Sequence, residues 1–176
     1  QLLAGMRACV AITLTTLDDS ISRSLESGAS LPGQRLKAME KLAALGVPVS
    51  ARIDPIIPGI NDAEIDDLVS AVSRAGALHI TSSTYKARPG GLKRIMNAFP
   101  EQGAALQRLF AGGEMMAGSL YLPAELRRGL MERIAASAEV EALTFSSCRE
   151  GSEPAPGINC DGSHLLPSQD KVKPEE

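Results

Sequence analysis

The sequence predicts an α/β fold: the later strand–helix units of a partial (β/α) barrel, followed by a mostly helical C-terminal extension. Three observations carry this reading. Short β-branched or apolar runs occur at residues 9–16, 47–53 and 79–85. Each of the first two is followed by a helical pattern closed by a glycine, Gly46 or Gly76. The units recur at about 30 to 40 residues, which is the spacing of parallel strands joined by right-handed crossover helices. Three units are too few for a closed eight-stranded barrel, which takes roughly 250 residues.

Each element has its own justification. In Cys9-Val-Ala-Ile-Thr-Leu-Thr-Thr, period-2 alternation puts Thr13 and Thr15 on one face and Ile12 and Leu14 on the other. Residues 20–30 are polar and read as a loop or a short weak helix. Ser30 and Pro32 then open a helix with Leu36, Met39, Leu42 and Leu45 facing inward. The strand at 47–53 leads into Arg52-Ile-Asp-Pro-Ile-Ile-Pro-Gly-Ile-Asn-Asp-Ala-Glu. Pro55, Pro58 and Gly59 force an irregular turn there. Asn61 or Asp62 is the expected N-cap of the next helix, which buries Ile65, Leu68, Val69 and Val72. In α/β proteins such a joint lies at the carboxyl end of a strand, where ligands bind. Ile56, Ile57 and Ile60 fall in a connection that ought to be polar. They await either a flat apolar ligand such as adenine or simple packing onto the core.

After residue 85 the pattern changes. Lys86-Ala-Arg-Pro-Gly-Gly-Leu-Lys-Arg94 is a basic turn, residues 92–110 are helical with a break at Pro100, and Gly112-Gly113 is a connector. Pro123 opens a helix that aligns Leu126, Leu130 and Ile134, and Leu143-Thr-Phe is a candidate last strand. The organisation expected is therefore a barrel segment over 1–90, a helical extension with a cysteine-containing tail over 91–167, and a disordered tail over 168–176.

Of the 176 residues, 44% are hydrophobic and 22% charged, as in globular proteins. The net charge of −3 and 3% aromatic content argue against a nucleic-acid surface built on basic fields and base stacking. No run reaches the roughly 18 apolar residues of a membrane span. Three scattered cysteines fit no disulfide framework and point to a reducing, cytoplasmic setting. Two histidines are too few to assemble a nucleophile–histidine set; His79, opening an apolar strand, reads as a buried histidine with its bonds satisfied. Lys86, just past a strand's carboxyl end, is a candidate Schiff-base amine, or else an anion-binding or solvated lysine. Arg52 beside Asp54 inside a strand marks a barrel lumen or an active-site floor, or a structural ion pair. Cys148 and Cys160, with His164 nearby, are the candidate metal ligands of this segment, at a spacing that matches no familiar zinc pattern.

Four strings carry a resemblance to a known family: Thr13-Leu-Thr-Thr-Leu-Asp18, Arg52-Ile-Asp-Pro-Ile-Ile-Pro-Gly-Ile-Asn-Asp62, Thr81-Ser-Ser-Thr-Tyr-Lys-Ala-Arg-Pro89 and Cys148-Arg-Glu-Gly151. Together they resemble the radical S-adenosylmethionine (SAM) enzymes, in the branch related to spore photoproduct lyase. The resemblance covers roughly residues 8 to 165 and implies the fourth, fifth and sixth strands of a TIM-like barrel. It implies SAM and a 4Fe–4S cluster as cofactors, and an electron donor such as flavodoxin or ferredoxin as partner; it leaves the substrate open, with damaged nucleic acid the class that this branch suggests and the charge does not support. It places Thr13, with Thr15 nearby, on the ribose or methionyl group of SAM, Arg52 on a SAM carboxylate or a substrate anion, and Ile57, Gly59, Ile60 and Asn61 against the adenine. Ser83, Tyr85 and Lys86 would line the substrate side, with Tyr85, Lys86 and Cys148 as catalytic candidates. The family's Cys-x3-Cys-x2-Cys loop is not in this sequence, so the cluster's ligands are expected on a preceding part of the protein. The alternatives are a Schiff-base lyase or aldolase-type barrel using Lys86, and a SAM- or nucleotide-binding module without catalysis.

Overall fold

The computed structural model describes residues 3, 6–151 and 155–166. Four strands, β1 (Val10–Thr13), β2 (Val49–Ile56), β3 (His79–Thr84) and β6 (Thr144–Ser147), form one parallel sheet in the spatial order β1-β2-β3-β6. A hairpin of β4 (Glu114–Met116) and β5 (Ser119–Tyr121) stands apart from it. The helices are α1 (Asp19–Leu25), α2 (Pro32–Ala44), α3 (Ile65–Arg74), α4 (Gly91–Ala98), α5 (Pro100–Ala111) and α6 (Ala124–Val140). The α/β class and the parallel strands are as expected. Beyond residue 90, β6 returns to pair in parallel with β3, where a last strand was expected at Leu143-Thr-Phe.

Register sorts the side chains into two faces. Ile12, Ala51, Ile80 and Phe145 lie in one row across the sheet; Thr13, Arg52, Thr81 and Ser146 lie in the next. Because alternate residues point to opposite faces, one face is apolar and the other polar. The apolar face is buried under α2, α3 and α6, through Met39, Leu68, Val69, Val72, Met131, Ile134 and Ala138. All three crossover helices thus lie on one side. The amino-terminal half of the polar face is covered by residues 157–166. There Thr81 donates to the Cys160 carbonyl at 2.7 Å, and Gly162 sits against Ser50 and Cys9.

A second, smaller core forms beyond the carboxyl ends of the strands. Ile57, Ile60, Ala87, Leu106, Phe110 and Leu122 meet there, joining the β2–α3 loop to α4, α5 and the hairpin. This corrects one expectation: Ile56, Ile57 and Ile60 are not exposed, and their cover is protein rather than ligand. Leu45 is not inward either; α2 ends one residue earlier, and Leu45 is half-exposed. The tail over 168–176 lies outside the described residues.

Candidate functional site

The carboxyl ends of the parallel strands bring the polar face to an accessible edge. On β2, Arg52 and Asp54 are two residues apart and so share the polar face, where Arg52 Nη2 donates to Asp54 Oδ2 at 2.8 Å. Ser83, at the end of β3, donates from Oγ to Asp54 Oδ1 at 2.5 Å. Burial alone would pull Arg52 down, but the bond and charge of Asp54, together with Cys148, hold the guanidinium above its ordinary value. Arg52, Asp54, Ser83 and Cys148 therefore form one cluster: a fixed cation, its carboxylate, a hydroxyl and a thiol. Arg52 remains about one-third exposed, so one side of the guanidinium is open to an anion. Asp54 was not among the residues predicted for the site, although the Arg-x-Asp pattern in a strand was its signal.

The end of β1 is built differently. Thr13 stands in register with Arg52, its carbonyl accepts from Arg35 Nη1 at 2.9 Å, and its hydroxyl makes no hydrogen bond among the described residues. Thr15 is buried and donates to Glu26 at 2.7 Å, and Glu26 is itself paired with Arg35 at 3.0 Å. Thr16 donates to the Glu64 carboxylate at 2.8 Å, which also accepts the Leu17 amide at 2.8 Å. Of the two threonines predicted to meet a cofactor, Thr13 has a hydroxyl to offer and Thr15 has already given its proton away.

Asn61 is fully buried; it stands at the N-cap position of the short 3-10 turn Asp62–Glu64, but its side chain makes no capping bond there, and α3 is entered from Glu64. Its Oδ1 accepts the Ile57 amide at 2.7 Å, and its Nδ2 donates to the carbonyls of Thr15 at 2.7 Å and Pro55 at 3.0 Å. One amide side chain thus ties the β2–α3 loop to itself and to the end of β1. Within this loop Ile57 and Ile60 face inward, and Gly59 (φ 77°) is the residue left at the surface. Its amide donates to Asp62 Oδ1 at 2.7 Å.

At the ends of β3 and β6, a buried charge network holds the edge in place. Glu150 accepts the Thr84 amide at 2.7 Å and Lys86 Nζ at 2.7 Å, and pairs with Arg127 at 3.3 Å. Arg127 reaches on to Glu114 of the hairpin at 2.9 Å, and both Lys86 and Arg127 lie over the Tyr121 ring. Lys86 also donates to the carbonyls of Thr84 and Cys148, each at 3.2 Å, so all three of its N–H bonds have acceptors. Tyr85 packs edge-on against Phe110; burial raises its phenol, and nearby Arg94 partly offsets that rise. Arg127 and Glu150 went unnoticed in the sequence because nothing local pairs a helix residue with one 23 positions on.

The cysteines do not converge. Cys148 lies at the carboxyl edge, Cys160 is exposed, and Cys9 is half-buried beneath Gly162. Among the described residues, no group of three or more His, Cys, Asp or Glu side chains could hold a metal ion. The donor set present here therefore does not fit a 4Fe–4S cluster, which takes three thiolates when SAM completes its coordination. Nor is any helix among the described residues long and apolar enough to cross a membrane.

Comparison with known proteins adds a partial frame. No protein-family model matches the chain, and no solved structure does. The chain is 29% identical over 135 residues to uncharacterized proteins of Mycobacterium bovis and of two Mycobacterium tuberculosis strains. That alignment covers 72% of this chain but only 37% of each relative, so the chain spans little more than a third of their length.

Proposed function

We propose that this chain is the later part of a radical SAM enzyme barrel, supplying one wall of the SAM pocket and part of the substrate face. The observation that carries the reading is the sheet. Its parallel strands run in sequential order, its crossover helices all lie on one side, and the other side is a polar face. A doubly wound sheet reverses its strand order and carries helices on both faces; a barrel does neither. The polar face is then a lumen wall, and Arg52, Asp54, Ser83 and Cys148 lie at its active end.

In this reading Arg52 meets the carboxylate of the methionyl group, the Thr13 hydroxyl meets its polar neighbours, and the loop surface at Gly59 lies along the adenine. Asn61 acts through position, by holding the two strand ends that carry those contacts. When bound to a reduced cluster elsewhere in the protein, SAM supplies a 5′-deoxyadenosyl radical. The present chain offers no cluster ligands, and its own residues bind and orient. The Schiff-base alternative finds no support in Lys86, whose ammonium is ion-paired and fully hydrogen-bonded. Substrate and electron donor belong to the whole protein.

The test uses the full-length protein, reconstituted anaerobically with iron and sulfide and supplied with dithionite and SAM. It should release 5′-deoxyadenosine, and Arg52→Gln should lower that rate by about tenfold or more, as for the loss of a charge-assisted bond. A protein that takes up no cluster and leaves SAM intact overturns the proposal. SAM binding without cleavage by cluster-loaded protein favours the non-catalytic module.

A further inference from the structure

The basic turn after β3 is not absorbed by the network that holds Lys86. Arg88, Lys93 and Arg94 are all exposed, and none is in an ion pair among the described residues. Arg88 opens the Arg88–Gly91 turn, which closes on a 2.7 Å bond from the Gly91 amide to the Arg88 carbonyl, and Lys93 and Arg94 follow it in the first turn of α4. The Arg94 guanidinium folds back over that turn; a Cβ on Gly90 would meet its Nη1 at 3.4 Å. A Cβ on Gly91 would meet the Tyr85 hydroxyl at 2.6 Å, so glycine there lets a phenol reach the same spot. The first turn of α4 has no acidic residue and no side-chain cap. Lys93 and Arg94 thus stand at the positive end of a helix, where cations are disfavoured unless an anion joins them.

Beside this cluster runs an open groove of about 250 Å³, lined by Arg88, Pro89, Gly90, Leu92, Met115 and Leu120. Met115 is largely exposed on the hairpin rim. A cationic corner adjoining an apolar slot suits a ligand that is anionic at one end and flat or apolar at the other.

We propose that the Arg88–Arg94 turn is a phosphate-binding site, and that the groove beside it takes the apolar body to which that phosphate is attached. The Arg94 guanidinium and the Tyr85 hydroxyl meet at Gly90 and Gly91, with Arg88 and Lys93 exposed beside them; a phosphate monoester, with three outer oxygens and close to two negative charges, uses such a cationic corner more fully than a carboxylate does. The site lies on the carboxyl side of the sheet, next to Tyr85.

Binding here needs neither iron nor SAM, so the test is independent of the reaction proposed above. The full-length protein, free of iron and SAM, is titrated calorimetrically with inorganic phosphate, adenosine 5′-monophosphate, adenosine and a short oligothymidylate at low and moderate salt. The monophosphate should bind more tightly than phosphate or adenosine. Lys93→Glu combined with Arg94→Glu should weaken it by about tenfold or more, whereas Arg108→Glu on exposed α5 should leave it unchanged. An oligothymidylate that binds more tightly, with a steeper loss in salt, assigns the phosphate to a strand; equal binding assigns it to a free nucleotide. Either result supports the site. Absence of binding by every phosphate probe overturns it, as does equal weakening by Arg108→Glu or indifference to the double variant. Circular dichroism of the variants, with Arg94→Gln as a milder change, separates loss of binding from loss of fold.

Discussion

A single amide, that of Asn61, holds the site's two strand ends together. It is buried with both its oxygen and its nitrogen engaged, so Asn61→Ala leaves the Ile57 amide and the Thr15 and Pro55 carbonyls without partners. Each buried polar group left unpaired costs about 1–3 kcal/mol, and the loop can recover part of that by admitting water. Asn61→Ala should therefore lower unfolding stability by about 3 kcal/mol in urea titration, while Asp62→Ala, which frees only the half-exposed Gly59 turn, costs less. His79 is the other residue whose environment decides its chemistry. Burial, reinforced by His164, pushes its imidazole from 6.5 down to about 4. Thr144, Ser146 and Thr81 hold the ring, and Asp161 and His164 on the covering segment are the charged groups facing it. Between those two pH values the unfolded chain takes up a proton that the folded one refuses. Stability should thus fall as pH drops from about 6.5 toward 4, and His79→Gln should flatten that part of the profile.

At the level of elements, α6 ends in an avoidable strain. Ala142 follows its C-cap at φ 55°, a left-handed conformation that glycine adopts without a steric cost. Ala142→Gly should raise stability by about 0.5–1 kcal/mol, read as a higher denaturant midpoint with an unchanged slope. Elements of this kind were legible in the sequence where the signal was local. Pro100 splits α4 from α5, Gly46 and Gly76 follow α2 and α3, and β-branched runs mark β1, β2 and β3. The hairpin was not legible. Its strands have three residues each, too short for alternation to register, and it forms because Ala87 bridges to Leu120 and the second core needs a lid. The isoleucines after β2 were read correctly as anomalous for a loop. Their cover comes from α5, about 45 residues later, and no local pattern announces it. Arg52 with Asp54 was visible as a pair; Ser83 and Cys148 joined it only through strand register.

The molecule as a whole divides its work between two cores and one polar wall. The larger core fixes the strands, the smaller one fixes the loops at their carboxyl ends, and between them the polar face is held open at one end and covered at the other. In the reading proposed above that face is the inner wall of a barrel, and for that reason the assay is made on the full-length protein.

Glu150 also bears on how the chain is made. Its carboxylate receives the Thr84 amide from 66 residues upstream and both buried cations, Lys86 and Arg127, so all of its partners leave the ribosome before it does. At about 5–20 residues per second, the end of β3 waits on the order of 3–13 s for the group that completes it. Arg127 is itself made after Lys86, so both cations await that carboxylate together only over the last stretch of the interval, about 1–5 s. The carboxylate arrives last, so Lys86 and Arg127 gain it only in a chain translated through residue 150.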